Sequence, residues 1–344
     1  MITIYSDDHR YQNAQAELID GKLLPPYENP RRADAILSHL QQSHLGAIEP
    51  PKSFGLDPIL RVHDAGFVNF LQTAWAEWSA QQGNHDALPL TWATRTMRHD
   101  RIPETIEGKL SYYSFDAGTP ISSGTWQAAT TAVNVALTAQ ERITQGAPSA
   151  FALCRPPGHH AARDFLGGYC FLNNAAIAAQ AFCDQGADRV VVLDVDYHHG
   201  NGTQAIFYDR PDVFFISIHA HPSQSYPYFL GFEDEIGQGK GEGFNRNYPL
   251  RIGTDWLTYQ PVLAEALQQI QQYHPDALVV SLGVDTFEKD PISEFRLTSR
   301  DYARMAAAIA QLNYPTLIVM EGGYAIDEIG QNVVSFLRGF EGLS

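Results

Sequence analysis

The side chains that could do chemistry in this sequence fall in four short segments. Asp196-Tyr-His198 sets a carboxylate and an imidazole two residues apart, and Gly283-Val-Asp285 adds a second carboxylate far along the chain. In an extended segment, residues two apart share a face. Asp196 and His198 can therefore serve one ion, with Asp285 as a third ligand. Two carboxylates and an imidazole suit Zn²⁺, with Fe²⁺, Co²⁺ or Mn²⁺ as alternatives. Three protein ligands leave a position open for water and substrate. The competing reading, in which the two aspartates only cap helices, leaves His198 without a role. The tandem His159-His160 follows Pro156-Pro-Gly158, a turn that fixes the backbone before the pair. Adjacent imidazoles in one site need different partners: Asp194 can hold one Nδ1–H and Asn201 the other. A carboxylate favours the imidazolium and an amide does not, so the two rings are expected to titrate differently. Tyr324 follows two glycines, which permit a sharp turn that presents the phenol inward. Its O–H is a suitable donor to a developing oxyanion.

Elements must carry these segments to one place. From residue 149 onward, short β-branched runs alternate with helical periodicity. The runs predict strands at 150–154, 189–195, 213–218, 277–282 and 316–320, with a first strand at 2–5. Helices are expected at 31–44, 63–81, 125–145, 173–185, 257–273 and 301–312. Near-continuous apolar strands indicate a parallel sheet buried on both faces. The fold class is therefore α/β, with a mostly parallel sheet and helices on both sides. Ligands in such sheets bind at the carboxyl ends of strands. His159-His160, Asp196 to Asn201, Asp285 and Tyr324 each follow a predicted strand. Residues 83–123 show no sustained period yet contain Trp92, Tyr112, Tyr113 and Phe115. A connection of that length serves a function or an interface.

Composition narrows the classes. The 344 residues are 44% hydrophobic, with 23 Lys and Arg against 39 Asp and Glu, a net charge of −16. Such a chain can bury a large core, and disorder is excluded. The acidity argues against nucleic acid or an anionic membrane as partner and is compatible with a cationic one. No apolar run approaches the ~20 residues that span a bilayer. The start, Met1 to Tyr5, lacks a basic leader, so a cytoplasmic protein is expected. Cys154, Cys170 and Cys183 are odd in number and lack CxxC spacing. That argues against a disulfide framework or a cysteine zinc site and for reduced, buried thiols.

The motifs together resemble those of the zinc-dependent histone deacetylase superfamily. They are Arg155-Pro-Pro-Gly-His-His160, Gly167-Gly-Tyr-Cys-Phe-Leu-Asn-Asn174, Asp194-Val-Asp-Tyr-His-His-Gly-Asn-Gly-Thr203, Gly283-Val-Asp-Thr286 and Glu321-Gly-Gly-Tyr324. Three further segments resemble the branch of bacterial acetylpolyamine amidohydrolases: Ile4-Tyr-Ser-Asp-Asp-His9, the stretch from Arg101 to Gly108, and Tyr226-Pro-Tyr-Phe-Leu-Gly231. The resemblance implies a single arginase-like or deacetylase-like domain over 1–344, with a central eight-stranded sheet. It implies an insertion at about 83–123 that forms a homodimer contact and narrows the active-site entrance. It implies Asp196, His198 and Asp285 as zinc ligands, and His160 as general base and then general acid. His159, held by Asp194, would be an electrostatic partner, with Asn201 behind His160 and Tyr324 as oxyanion donor. Tyr169 and Tyr226 would wall a narrow tunnel, and the Gly168 carbonyl would accept the substrate amide N–H. A structural K⁺ or Na⁺ would use Asp194 and Ser217, with backbone carbonyls of Asp196, His198 and Ile218.

Two departures from the family pattern stand out. Asn201 replaces an Asp common in eukaryotic deacetylases. Gly118 stands where some polyamine deacetylases carry an entrance Glu, which leaves Asp116 and Glu107 as acidic candidates for the distal amine. The expected activity is metal-dependent hydrolysis of the acetamide of N-acetylated polyamines or related cationic amines, giving acetate and free amine. The alternatives are a deacylase of acetyl-lysine peptides or other small amides, and a non-catalytic polyamine-binding sensor.

Overall fold

Parallel pairing organises the computed structural model of the chain, which describes residues 1–343. Its strands are β1 (Ile2–Ile4), β2 (Glu17–Ile19), β3 (Lys22–Leu24), β4 (Ile48–Glu49), β5 (Ser149–Ala152), β6 (Val190–Asp194), β7 (Val213–Ala220), β8 (Asn245–Leu250), β9 (Ala277–Leu282) and β10 (Thr316–Met320). Eight of them form one sheet in the order β4-β1-β5-β10-β9-β6-β7-β8, and every pairing in it is parallel. Strands β2 and β3 form a separate antiparallel hairpin.

Successive strand side chains point to opposite faces, and the sequence supplies apolar residues at both. Ala150, Val192, Val279 and Val319 belong to one buried cluster, and Phe151, Leu193, Val280 and Ile318 to the other. Of the helices, α1 (Arg31–Ser43), α2 (Asp57–Leu60), α3 (Ala65–Gln82), α4 (Ile106–Tyr112), α5 (Thr125–Thr144) and α6 (Asn174–Asp184) come before β6. They are followed by α7 (Asn201–Phe207), α8 (Trp256–Tyr273), α9 (Ser299–Ala310) and α10 (Ile326–Phe340). The first face is covered by α3, α5 and α6, the second by α1, α8, α9 and α10. Side-chain caps set several boundaries. Asp64 accepts from Gly66 N–H at 2.7 Å, Asn173 from Ala176 N–H at 2.9 Å and Asp255 from Thr258 N–H at 3.0 Å. Thr298 and Asp301 form a reciprocal capping box.

The six predicted helices and six predicted strands are present, with no end shifted by more than two residues. Strands β4 and β8, the β2–β3 hairpin and α10 have no counterpart in the sequence reading. Strand β8, Asn-Arg-Asn-Tyr-Pro-Leu, is polar and contains a proline because it lies at the sheet edge. Segment 83–123 is closed at its base: Ala87 and Ile121 exchange both backbone hydrogen bonds, at 2.9 and 3.0 Å. Within it, α4 buries Ile106 and Leu110, while most of 88–105 is exposed. No helix among the described residues is long and apolar enough to cross a membrane.

Candidate active site

The carboxyl ends of β5, β6, β9 and β10 meet at one cavity. After β6 the chain cannot continue as strand or helix, because two aspartates bend it. Asp194 Oδ1 accepts from Asp196 N–H at 3.1 Å, and Asp196 Oδ1 accepts from His198 N–H at 2.9 Å. Each is an Asp folding over the amide two residues on. These turns bring Asp196 and His198 to one side, facing Asp285 from the end of β9. His198 Nδ1 lies 3.1 Å from Asp285 Oδ2 and 3.4 Å from Asp196 Oδ1. One ligand atom from each of the three lies within 4.8 Å of the others, and all three residues are buried.

The donor set fits a divalent cation. Two fully buried carboxylates converge on one imidazole, and buried charges need an opposite charge or a metal. The remaining carboxylate oxygens are already oriented. Gly322 N–H donates to Asp196 Oδ2 at 2.8 Å, and Tyr197 N–H to Asp285 Oδ1 at 2.9 Å, as outer partners do in metal sites. The backbone closes tightly here: a Cβ on Gly322 would lie 2.3 Å from Asp285 Oδ2 and 2.6 Å from Asp196 Oδ2.

The histidine pair lies beside this triad, with ring centroids 4.1 Å apart. His159 Nδ1–H donates to Asp194 Oδ2 at 2.9 Å, and His160 Nδ1–H to Asn201 Oδ1 at 2.6 Å. An amide oxygen only accepts, so the proton of neutral His160 resides on Nδ1, and Nε2 is the basic nitrogen. The two rings differ in charge state. Burial alone lowers His159, but the carboxylates of Asp196 and Asp194 outweigh it and raise it to about 10. Burial, and then the charge of His159, hold His160 well below the ordinary imidazole range. Behind them, Glu321 Oε2 accepts from the amides of Gly158 at 2.7 Å and His159 at 3.1 Å. Burial lifts its carboxyl to about 7.

Tyr324 comes from the turn after β10. Arg32 fixes that turn, donating to the carbonyls of Gly323 and Glu321 at 2.6 Å each, with its guanidinium 4.6 Å from the Tyr324 ring centre. Arg32 and Arg155 share the carboxylate of Glu28, at 2.9 Å from Arg32 and at 2.8 and 3.0 Å from Arg155. All three side chains are buried. Burial pushes the Tyr324 phenol well above its usual value, so it keeps its proton and can donate.

Above the triad, a cavity of about 320 Å³ is walled by Tyr169, Tyr226, His160, Tyr324 and Gly168. Leu18 and Ile19 of the hairpin, the stretch Asp116 to Gly118, and Ile292 also line it. Phe115 stacks on Tyr226 with centroids 5.7 Å apart. Gly168 and Tyr169 both have left-handed backbone, φ 56° and 67°. Their amides are held by Asp116 Oδ2 at 2.6 Å and Thr119 Oγ1 at 2.9 Å. A Cβ on Gly168 would lie 2.1 Å from His160 Cδ2. Gly168→Ala is expected to displace His160 and lower kcat by about 100-fold, the scale of a 1 Å misplacement. It should also cost about 1–2 kcal/mol of stability through the left-handed backbone. Steady-state kinetics with a thermal melt would check both, and unchanged kcat would rule out the steric argument.

Not every sequence candidate stands where it was expected. Asp116 lines the cavity, but its carboxylate is occupied by Gly168 N–H, Gly118 N–H at 3.0 Å and the Tyr226 hydroxyl at 2.7 Å. It braces the walls. Glu107 does not line the cavity of its own chain; it lies on α4, where its carboxylate accepts from Gln82. Asp194 and Ser217 are directly paired across β6 and β7, with Ile218 next on the strand. Ser217 Oγ is also 2.7 Å from His219 Nδ1. Cys154 and Cys170 are buried and Cys183 is half-buried, all unpaired. Burial raises each of the three thiols. Residues missed from sequence include Glu28, Arg32 and Ile292. Glu321 and Arg155 carried a signal, since they head two of the motifs.

Residues 26–340 match the histone deacetylase domain family. Over 343 residues the chain is 60% identical to acetylpolyamine amidohydrolase 2 of Pseudomonas aeruginosa, covering 100% of this chain and 99% of that one. It is 48% identical over 342 residues to the acetylpolyamine amidohydrolase of Mycoplana ramosa, covering 99% and 100%. The crystal structure of acetylpolyamine aminohydrolase from Burkholderia pseudomallei superposes with a TM-score of 0.95 at 38% identity, covering 100% of this chain and 99% of that one. The chain belongs to the histone deacetylase family, in its branch of bacterial acetylpolyamine amidohydrolases.

Proposed function

We propose that this chain hydrolyses the acetamide of N-acetylated polyamines or related cationic amines, using a zinc ion held by Asp196, His198 and Asp285. The observation that carries the reading is the convergence of this triad, His160 Nε2 and Tyr324 at the floor of one aromatic-walled cavity. A divalent ion there supplies the charge that polarises an acyl carbonyl and acidifies water. The chain's own residues do the rest. His160 takes the proton of the attacking water at Nε2, while Asn201 keeps Nδ1 protonated. His159, charged and tied to Asp194, offsets the negative charge that develops beside it. Tyr324 keeps its proton and donates a hydrogen bond from its hydroxyl to the oxyanion. His160 then returns the proton to the leaving amine. Tyr169 and Tyr226 sandwich an extended aliphatic chain, and the Gly168 carbonyl orients the amide N–H. A monovalent cation bound between Asp194 and Ser217 would stiffen the end of β6.

Slender substrates suit the enclosed walls and a net charge of −16, which attracts a polyamine at long range. The insertion at 83–123, closed at its base and exposed beyond, is the surface through which two copies would form a homodimer and bring an acidic group such as Glu107 towards a neighbouring mouth. The test is kcat/KM for acetylputrescine, acetylspermidine and acetyl-lysine peptides, with metal-defined enzyme and its mass in solution. Acetylpolyamines are expected to be preferred by at least about tenfold, a difference of about 1.4 kcal/mol, on a dimer. Equal activity on acetyl-lysine peptides by a monomer would overturn the polyamine reading. Tight polyamine binding without acetate release would point instead to a sensor.

A further inference from the structure

The turn carrying Tyr324 is pinned on one side by Arg32. On the other side one carboxylate performs two tasks. Asp290 Oδ2 accepts the backbone N–H of Tyr324 at 2.7 Å, and its Oδ1 accepts the N–H of Ile292 at 3.1 Å. Asp290 is 7% exposed, so water does not substitute for either bond. Ile292 and Tyr324 both line the cavity. A single buried side chain therefore ties the phenol-bearing turn to the backbone of a second lining residue. Asp290 does not line the cavity, although burial and then the charge of Asp285 raise its carboxyl to about 7, and no sequence motif marked it.

We propose that Asp290 is a positioning residue for Tyr324, setting the reach of its hydroxyl towards the oxyanion. This rests on the reading of Tyr324 as oxyanion donor. The simpler role would be an acidic cap near the start of α10, two residues on from Tyr324, with favourable helix-dipole charge. A cap would affect stability but would act independently of the phenol. A positioning residue acts only through it, so the two roles separate in a double-mutant cycle.

The experiment compares kcat and KM of the metal-loaded wild type, Asp290→Asn, Tyr324→Phe and the double variant on one acetylated polyamine, with metal content measured for each. Asn keeps a single acceptor oxygen and so loses one of the two bonds. Asp290→Asn is expected to lower kcat by roughly 10- to 100-fold, the scale of a small misplacement. KM and metal content should stay within about twofold, and the double variant should match Tyr324→Phe within about twofold. If Tyr324→Phe is impaired but the Asp290→Asn loss multiplies with it, or Asp290→Asn is unimpaired, the positioning role is overturned and the donor role survives. If Tyr324→Phe retains wild-type turnover, the donor reading itself falls. Should Asp290→Asn not fold, Asp290→Glu keeps both acceptors on a longer arm and enters the same cycle, with the same outcomes deciding.

Discussion

Replacing His160 with alanine is expected to lower turnover by about 10²- to 10⁴-fold, the usual worth of a positioned general base, while the metal stays bound. The two halves of that expectation have separate causes. Turnover depends on His160 Nε2, left available because Nδ1–H is bound to Asn201: His159 Nδ1 is tied to Asp194, and His198 Nδ1 is directed at Asp285 and Asp196. Metal retention follows because the triad is oriented by the amides of Gly322, Tyr197 and His198, and none of those contacts passes through His160. Acetate release and metal content on one preparation would check both halves. Near-wild-type turnover would remove His160 from the mechanism, and metal loss in parallel with activity would mean it acts through the ion site.

The largest stability effect is expected at Glu28, well away from the triad. Glu28→Ala leaves the guanidiniums of Arg32 and Arg155 buried without their shared counter-charge. Breaking a buried pair in this way costs about 3–5 kcal/mol. The loss is mitigated in part, because Arg155 also donates to the carbonyls of His9 and Gln12, at 2.5 and 2.7 Å, and Arg32 to those of Gly323 and Glu321. Those same bonds carry the damage to the site, since a shifted Arg32 releases the Tyr324 turn. Urea unfolding should show a lower midpoint with an unchanged slope, and kcat should fall in the protein that remains folded. A variant within about 1 kcal/mol of wild type would mean that the backbone carbonyls alone satisfy both guanidiniums.

Much of the site was legible because it follows strands whose composition is unambiguous. The runs Val190–Asp194, Ala277–Leu282 and Thr316–Met320 are apolar on both faces, and a parallel α/β sheet leaves few places for the polar residues after them. The missed parts failed for local reasons. Strand β8 reads as a polar loop because edge position, not composition, makes it a strand. Helix α10 carries Ile329, Val333, Phe336 and Leu337 at helical spacing, but Gly330 and Gly339 weaken its propensity. They are there because α1 and α9 approach closely: a Cβ would lie 2.2 Å from His39 Nδ1 at one and 2.2 Å from the Ala303 carbonyl oxygen at the other. Glu28, Arg32 and Asp290 fall outside the motifs, and only the fold brings Arg32, with its partner Glu28, and Asp290 to the Tyr324 turn. Glu107 and Asp116 were singled out for their charge, yet each carboxylate is already engaged within its own chain.

The strand order has a consequence for how the protein is made. Strand β10, the last in sequence, lies between β5 and β9, so the sheet stays split into two unpaired edges until residues 316–320 leave the ribosome. Everything synthesised earlier can form its helices and local pairs, but the two halves of the sheet cannot join. Such non-local closure is slow and leaves strand edges exposed to aggregation meanwhile. The same late segment brings Glu321 and Tyr324 and closes Gly322 against both aspartates. The centre of the sheet and the floor of the site are thus completed together, so a chain halted before β10 would have neither.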